Sequence, residues 1–320
     1  MCIRDREIIV KNRLNRNLAR FIASALDKTN RDIYVFGFNL TTRTITLIGT
    51  DGNLRRFEGP NPATKAEENG VFAIAYGTGS IQETITDQIL ETTSYYVICN
   101  YWDVIEETNQ TKILVASHHN PLKNMNCYEV CLARATSFET PEQAGFAIFS
   151  RVTFSTPLIL FEGENRFDGW EIIFNNKFSK WFVKVFEAAL HIKSLYLKDI
   201  NGSMFTTNRM TPLNGSPKIR LGDGSATPSP DDYGLAGTEL AVVDATLSLT
   251  EDAENNILRI SAWNTLTPSS DLQVNEIALF TSVKDRDGNN HEILVARDVF
   301  PTTQTLHAGI PYTIGIDLIF

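Results

Sequence analysis

Long apolar runs, a basic surface and recognisable catalytic motifs are all missing from this sequence of 320 residues. No run of about 18 apolar residues occurs, so we predict no membrane-spanning helix and no membrane insertion. The formal net charge is −9 and the isoelectric point is near 5.2. This balance argues against nucleic acid as a partner, because nucleic-acid binding requires a basic surface. Hydrophobic residues make up 42% and charged residues 21% of the chain, which is typical of a folded protein.

The N-terminus also lacks the apolar core and the cleavage site of a secretory signal peptide. Its first six residues read MCIRDR, which is similar to translated sequencing-adapter read-through. We therefore predict that residues 1–6 are a non-native leader.

Cysteine and histidine are few, and their spacing does not match known metal or catalytic sites. Cys127 and Cys131 are spaced C-x3-C without a second pair, which favours reduced thiols over a zinc site. None of the five histidines occurs in an H-E-x-x-H or H-x3-H spacing, and no G-x-S-x-G motif is present. His118 and His119 are adjacent on a predicted strand, so their side chains should point to opposite faces and not bind one ion. We expect no catalytic residue, no metal and no cofactor, and predict that the protein is not an enzyme.

What the sequence does contain is an internal repeat. The Gly77-Thr78-Gly79 turn corresponds to Gly222-Asp223-Gly224 at an offset of 145 residues. At neighbouring offsets the order is kept, and the pairs are Asp87 with Asp232, Leu90 with Leu235, Ile113 with Ile257, Ser117 with Ser261, Glu129 with Glu276, Arg151 with Arg297, Gly163 with Gly309 and Phe174 with Phe320. An ordered series of this kind indicates duplication.

Each copy is predicted to begin with an amphipathic helix, Asn12 to Leu26 in the first and Lys177 to Leu190 in the second. Short strand-like runs separated by turns follow in both copies, including Glu129–Ala133 and Phe146–Phe154 in the first and Leu240–Leu249 in the second. We predict a mainly β (α+β) fold with two tandem repeats, each an N-terminal amphipathic helix plus an antiparallel β-sandwich. The predicted units are residues 7–174 and 175–320.

Two Gly-rich turns and one acidic run leave alternatives open. The turns at Gly77–Gly79 and Gly222–Gly224 are similar to phosphate-binding loops, but they lack the Walker lysine and a following helix, which favours a structural turn. The run Asp285–Asn289 could bind calcium, but it lacks the spacing and distal Glu of an EF-hand and is typical of a hairpin tip.

The repeated Glu and Arg residues are the most informative candidates for a structural site. Arg297 alternates with Ile293, Val295 and Val299, which would place its guanidinium on an apolar face. Arg151 likewise would share its face with Phe149. A buried arginine requires a carboxylate, and Glu276 and Glu129 lie one strand earlier in their copies. We therefore predict the ion pairs Glu276–Arg297 and Glu129–Arg151; the alternative is a solvated edge of the sheet.

The second copy resembles a domain of tail, fibre and baseplate proteins of tailed bacteriophages. The resemblance rests on four features: Gly222-Asp223-Gly224, the segment from Pro228 through Asp232 to Leu235, the strand Val274–Phe280 (VNEIALF), and Leu294–Arg297 (LVAR) followed by the closing strand from Tyr312. It covers about 100 residues of the second copy. The first copy departs from the pattern and is linked to it by the repeat.

The resemblance implies assembly and not catalysis. It predicts a structural subunit of a tail, baseplate or neck, with itself and other virion proteins as partners in a symmetric oligomer, located in virions assembled in the bacterial cytoplasm. Two alternatives are a receptor- or carbohydrate-binding module of a tail fibre, which would bind a host surface glycan, and a secreted bacterial filament or adhesin subunit.

Overall fold

The structure is a computed structural model that describes residues 6–11, 44–48, 54–58, 72–80, 93–135, 146–175, 177–184, 196–207, 217–252 and 257–319. These residues are mainly β, as predicted. Ten strands precede residue 176: β1 (Arg6–Lys11), β2 (Thr44–Ile48), β3 (Leu54–Glu58), β4 (Phe72–Gly77), β5 (Thr93–Ile98), β6 (Tyr101–Glu107), β7 (Gln110–His119), β8 (Met125–Ala135), β9 (Phe146–Leu160) and β10 (Arg166–Asn175).

Nine strands follow in the second half of the chain. They are β11 (Tyr196–Lys198), β12 (Met204–Thr206), β13 (Lys218–Gly222), β14 (Glu239–Asp244), β15 (Thr246–Asp252), β16 (Ile257–Leu266), β17 (Leu272–Lys284), β18 (Asn290–Leu306) and β19 (Tyr312–Ile319). None of the described helical residues forms a helix long and apolar enough to span a bilayer.

Both halves connect their strands in the same way. The first half forms a hairpin β2-β3, a sheet β5-β4-β8-β9 and a sheet β1-β10-β7-β6. The second half forms a hairpin β11-β12, a sheet β14-β13-β17-β18 and a sheet β15-β16-β19. If β2 to β10 are matched in chain order with β11 to β19, each strand pairing of the second half has its counterpart in the first half. The strand β1, which pairs in parallel with β10, has no counterpart among the described strands of the second half.

The sheets bury one face and expose the other, and the sequence alternates accordingly. In β16, Ile260 and Ala262 are buried while Arg259 and Trp263 are exposed, the pattern of a strand with one face toward a core. In the first half, Phe72 of one sheet contacts Trp102 of the other edge-to-face at 5.1 Å between ring centroids. Each fully buried large apolar side chain contributes roughly 1.5–3 kcal/mol to stability. Burial of such side chains between the two sheets therefore stabilises their packing.

The predicted helices are only partly within the described residues. Residues 180–184 are helical, whereas Lys177 lies in a turn and Phe178 pairs with Ala296 of β18, so the predicted start of the second helix at Lys177 was wrong. Arg297 N donates to Lys177 O at 2.8 Å and Ser179 N donates to Val295 O at 3.0 Å. Because these backbone groups bond to β18, the helix begins only after Ser179. The predicted helix from Asn12 to Leu26 lies outside the described residues.

Most predicted strands are confirmed, and the Asp285–Asn289 run is the tip of the β17–β18 hairpin. The run Leu240–Leu249, however, is two strands and not one. The chain leaves β14 at Asp244 and enters β15 at Thr246, so the two strands belong to different sheets. Continuous apolar sequence does not reveal such a corner.

The repeat alignment around β7 was also wrong by three residues. In the first half Ser117 pairs with Asp168, and in the second Asn264 pairs with Ile314. Because β10 and β19 align at an offset of 146, Ser117 corresponds to Asn264 and Ile113 to Ile260, an offset of 147. His118 and His119 therefore correspond to Thr265 and Leu266, not to Ala262 and Trp263. The loop before β16 is longer than the loop before β7, which shifts the alignment.

Candidate functional site

The two predicted Glu–Arg pairs are both present and buried. Arg297 Nη1 lies 2.8 Å from Glu276 Oε2, and Arg151 Nη2 lies 2.8 Å from Glu129 Oε2. Both glutamates are fully buried, and both arginines are at most 5% exposed. The alternative of a solvated sheet edge does not apply to these residues. Each carboxylate sits opposite the last glycine of the neighbouring strand, Gly222 for Glu276 and Gly77 for Glu129.

The face that carries Arg297 was predicted correctly for Val299 and incorrectly for Val295 and Ile293. The ladder between β17 and β18 shifts near Leu279 and Phe280, so Arg297 pairs with Ala278 and Leu294 pairs with Phe280. A bulge inserts one residue and reverses the alternation beyond it. Arg297 thus shares its face with Leu294 and not with Val295 or Ile293. The ladder of the first half shifts at the matching place, between Leu132 and Ala133; the side chain of Phe149 lies outside the described residues.

Glu276 fixes the long connection between β13 and β14 to the sheet. Its Oε1 accepts hydrogen bonds from Gly224 N at 3.1 Å and Gly237 N at 2.8 Å, and its Oε2 accepts one from Ala236 N at 3.0 Å. Together with Arg297, four donors surround one carboxylate, which is about its full acceptor capacity. We call residues 223–238 the anchored loop.

Arg297 fixes the other part of the anchored loop. Its Nε donates to Asp232 Oδ2 at 2.9 Å and its Nη2 donates to Thr227 O at 3.2 Å. Nearby, Leu235 and Ile200 pack on a small apolar cluster of Ala278, Phe280 and Leu294. The sequence motif from Pro228 to Leu235 therefore supplies a charged contact through Asp232 and an apolar contact through Leu235.

Two glycines of the anchored loop are required by the close approach of neighbouring atoms. A Cβ on Gly224 would lie 2.3 Å from Glu276 Oε1, and a Cβ on Gly237 would lie 2.4 Å from Gly224 N. In the first half, Gly79 N donates to Glu129 Oε1 at 3.1 Å, as Gly224 N does to Glu276. In both turns this amide is bound by the protein's own carboxylate, which favours the structural turn over the phosphate loop.

The acidic hairpin tip is likewise satisfied by its own chain. Asp285 accepts hydrogen bonds from the backbone of Asp287 and Asn289 at 2.9 and 2.7 Å, and His291 Nε2 lies 3.2 Å from its Oδ2. The hydrogen bond from the Asn289 side chain is the largest cause that lowers the pKa of Asp285 to about 2. These contacts are those of a turn, and among the described residues no group of three His, Cys, Asp or Glu side chains is arranged to hold a metal ion.

A second polar site, which the sequence did not predict, lies between the sheets of the first half. Tyr76 Oη donates to Asp168 Oδ2 at 2.5 Å, and His119 Nε2 lies 3.0 Å from the same oxygen. Arg166 holds both oxygens of Asp168 through Nε at 3.0 Å and Nη2 at 2.9 Å. Tyr95 Oη lies 3.2 Å from His119 Nδ1. We call these five residues the buried polar network.

The ionisation of the network follows from burial and from these contacts. Burial alone would raise the pKa of Asp168, but hydrogen bonds from His119, Arg166 and Tyr76 outweigh it and lower that pKa. Burial raises the pKa of Tyr76 and of Tyr95, and the charge of Asp168 adds to the effect. Asp168 is therefore a carboxylate at neutral pH, and the tyrosines keep their protons.

The second half has apolar or aromatic residues where the first half has the network. Strand pairing aligns Tyr76 with Leu221, Tyr95 with Ala241, His119 with Leu266, Arg166 with Tyr312 and Asp168 with Ile314. The signal that could have revealed the network was a polar residue in one copy against an apolar residue in the other. At His119 this signal could not be seen, because the three-residue error in the alignment of β7 paired His119 with Trp263 and not with Leu266.

His118 and His119 lie on opposite sides of β7, as predicted. His119 joins the network, and His118 packs its ring against Phe167 at 4.5 Å between centroids. Tyr101 contacts the other edge of Phe167 at 5.7 Å and is 39% exposed. The outer face of this sheet thus carries a surface aromatic cluster of Tyr101, His118 and Phe167.

Comparison with known proteins adds no relative: no family model, no curated protein and no solved structure matches this chain.

Proposed function

We propose that this chain is a structural subunit of a tailed-phage tail, baseplate or neck, which acts by packing against copies of itself and other virion proteins. We further propose that residues 7–174 and 175–320 are two tandem units, each a helix followed by a β-sandwich. The observation that carries the proposal is the recurrence of one strand connectivity with one buried Glu–Arg pair in both halves.

A duplicated unit suits a ring or a trimer around a virion axis. If n chains form a ring, they present 2n similar domains, which allows a ring to meet a neighbour of different symmetry. The net charge of −9 disfavours adhesion to the DNA that passes such a ring. Location in the virion, after assembly in the host cytoplasm, is part of the same proposal.

The chemistry of the two polar sites supports a structural role over a catalytic one. The hydrogen-bonding groups of Glu276 and Arg297 are engaged by residues of the anchored loop. In the buried polar network, Tyr95 is the member nearest solvent, and its raised pKa opposes a nucleophilic phenolate. We therefore propose that the protein is not an enzyme.

The experiment that tests this proposal is co-expression with the proteins encoded next to this gene on its source contig. We expect the purified chain to form a symmetric particle, or to co-purify with at least one of these proteins in a defined ratio. A chain that does neither would overturn the proposal.

A second candidate function, glycan recognition by a tail fibre, is favoured by the surface aromatic cluster. Sugars stack on exposed aromatic rings, and Tyr101 and Phe167 lie side by side on an outer face. If this function is correct, Tyr101→Ala combined with Phe167→Ala should abolish binding on a glycan array. Trp263→Ala, which removes an exposed aromatic residue of the second half, is the matched control and should leave binding unchanged.

A further inference from the structure

The two halves differ at one sheet edge. In the first half, β10 pairs with β7 on one side and with β1 on the other. In the second half, β19 pairs with β16 on one side, and none of the described strands pairs with its other side. The remaining terminal strands of the four larger sheets match between the halves, since β5, β9 and β6 correspond to β14, β18 and β15.

The strands β10 and β19 are equivalent in detail. Each follows a turn with a glycine of positive φ, Gly163 at 69° and Gly309 at 73°. The amide of Gly163 donates to Pro121 O at 2.9 Å and that of Gly309 to Pro268 O at 2.8 Å. An edge that accepts a strand in the first half thus has a geometric counterpart in the second.

The open side of β19 has little protection against pairing. Proteins usually guard edge strands with lysine, proline, a bulge or a covering segment. The eight residues of β19 include no lysine and no proline, Asp317 is their one charged residue, and their ladder with β16 is regular. Ile319 is 56% exposed, so the strand ends in an uncovered apolar side chain.

We propose that β19 of one copy receives β1 of a second copy as a parallel strand, in the register by which β1 pairs with β10. That register would place Ile8 opposite Ile314, Val10 opposite Ile316 and Lys11 opposite Asp317. Each pair is then apolar with apolar, or cation with anion, and such cross-strand pairs are favourable.

In the same register on β10, one residue of β1 stands opposite a residue that is chemically less similar or complementary to it than its counterpart on β19. There Ile8 stands opposite Asp168, which belongs to the buried polar network, whereas Val10 stands opposite the apolar Trp170. Lys11 stands opposite Glu171 and has an acidic neighbour in either position. Transfer of β1 to a neighbouring β19 therefore replaces the unfavourable pairing of Ile8 and retains the favourable pairings of Val10 and Lys11.

The contact is heterologous, because it joins β1 of one copy to a different surface, β19, of another. Heterologous contacts of this kind close into rings or extend into filaments. The inference rests on the proposed function, in that it supplies the interface of the proposed homo-oligomer.

The experiment uses engineered cysteines in the full chain with Cys2→Ala. The pair Lys11→Cys with Asp317→Cys reports the exchanged strand, and Lys11→Cys with Glu171→Cys is the matched control for pairing within one chain. Native Cys99, Cys127 and Cys131 are buried, and burial raises the pKa of each thiol, so they should not compete.

We expect the first pair to give covalent multimers on non-reducing gels that return to monomer with reductant, while each single variant gives none. Amide hydrogen exchange of residues 312–319 in the unmodified protein should be slower in the oligomer than after dilution to monomer, which requires no substitution.

A cross-link confined to the control pair, or equal exchange in both states, in a protein that is still oligomeric by native mass spectrometry, would overturn this interface and leave the proposed function standing. A protein that is monomeric by native mass spectrometry and binds no virion protein would overturn both.

Discussion

Arg297 and Glu276 show how a buried charge is made stable in this protein. A buried carboxylate or guanidinium is costly unless its hydrogen bonds are completed. Here Glu276 has four donors, and Arg297 has Asp232, Glu276 and Thr227 as acceptors. Most of these partners belong to the anchored loop, so the ion pair and the loop depend on each other.

The first residue-scale prediction is a double-mutant cycle on this pair. Arg297→Ala should destabilise the protein by roughly 3–5 kcal/mol, because Glu276 is left charged and buried. Replacement of both residues by apolar ones of similar size should cost at least as much, because the amides of Gly224, Ala236 and Gly237 then lose their acceptor. Urea denaturation measures both values. An Arg297→Ala variant as stable as wild type would show that the pair has no structural role.

The second residue-scale prediction concerns acid stability. The pKa of Asp168 is lower in the folded protein than its ordinary value of 3.8, so the folded state favours the charged carboxylate. The resulting stabilisation is present above the unfolded pKa and is lost as the pH falls through the folded pKa. Below about pH 4, Asp168→Asn should therefore lose less stability per unit of pH than wild type. Parallel pH profiles of the two proteins would contradict this assignment.

At the scale of elements, the anchored loop requires a glycine at position 224, because the loop approaches Glu276 closely there. Gly224→Ala should destabilise the protein by about 1–3 kcal/mol, as an overpacked site does, because the new Cβ would lie 2.3 Å from Glu276 Oε1. Gly234→Ala is the matched control in the same loop, since its Cβ would meet nothing closer than 3.5 Å. Thermal unfolding of both variants tests the point, and equal melting temperatures would argue against it.

Strand pattern and repeat predicted the β class, most second-half strands and both ion pairs. They failed where pairing is non-local: the bulge at Val295 reversed the face of Arg297, and the corner at Ala245 split one apolar run into two strands. The strand β1 was also missed, although Glu7-Ile8-Ile9 repeats Glu171-Ile172-Ile173 of β10. The buried polar network required residues from four strands, and no local pattern connects them.

At the scale of the whole molecule, two halves with one connectivity have different interiors and different edges. The first half buries a charged network where the second is apolar or aromatic, and the first has β1 where none of the described strands of the second half pairs with β19. In the proposed assembly, the first half supplies the strand and the second half receives it.

Native mass spectrometry of the purified chain at micromolar concentration tests the central claim most directly. We predict one dominant homo-oligomer whose mass is an integer multiple of 35.8 kDa, because each chain carries a donor strand and an unguarded acceptor edge. A spectrum with monomer alone, unchanged when the proteins encoded beside this gene are added, would contradict the account.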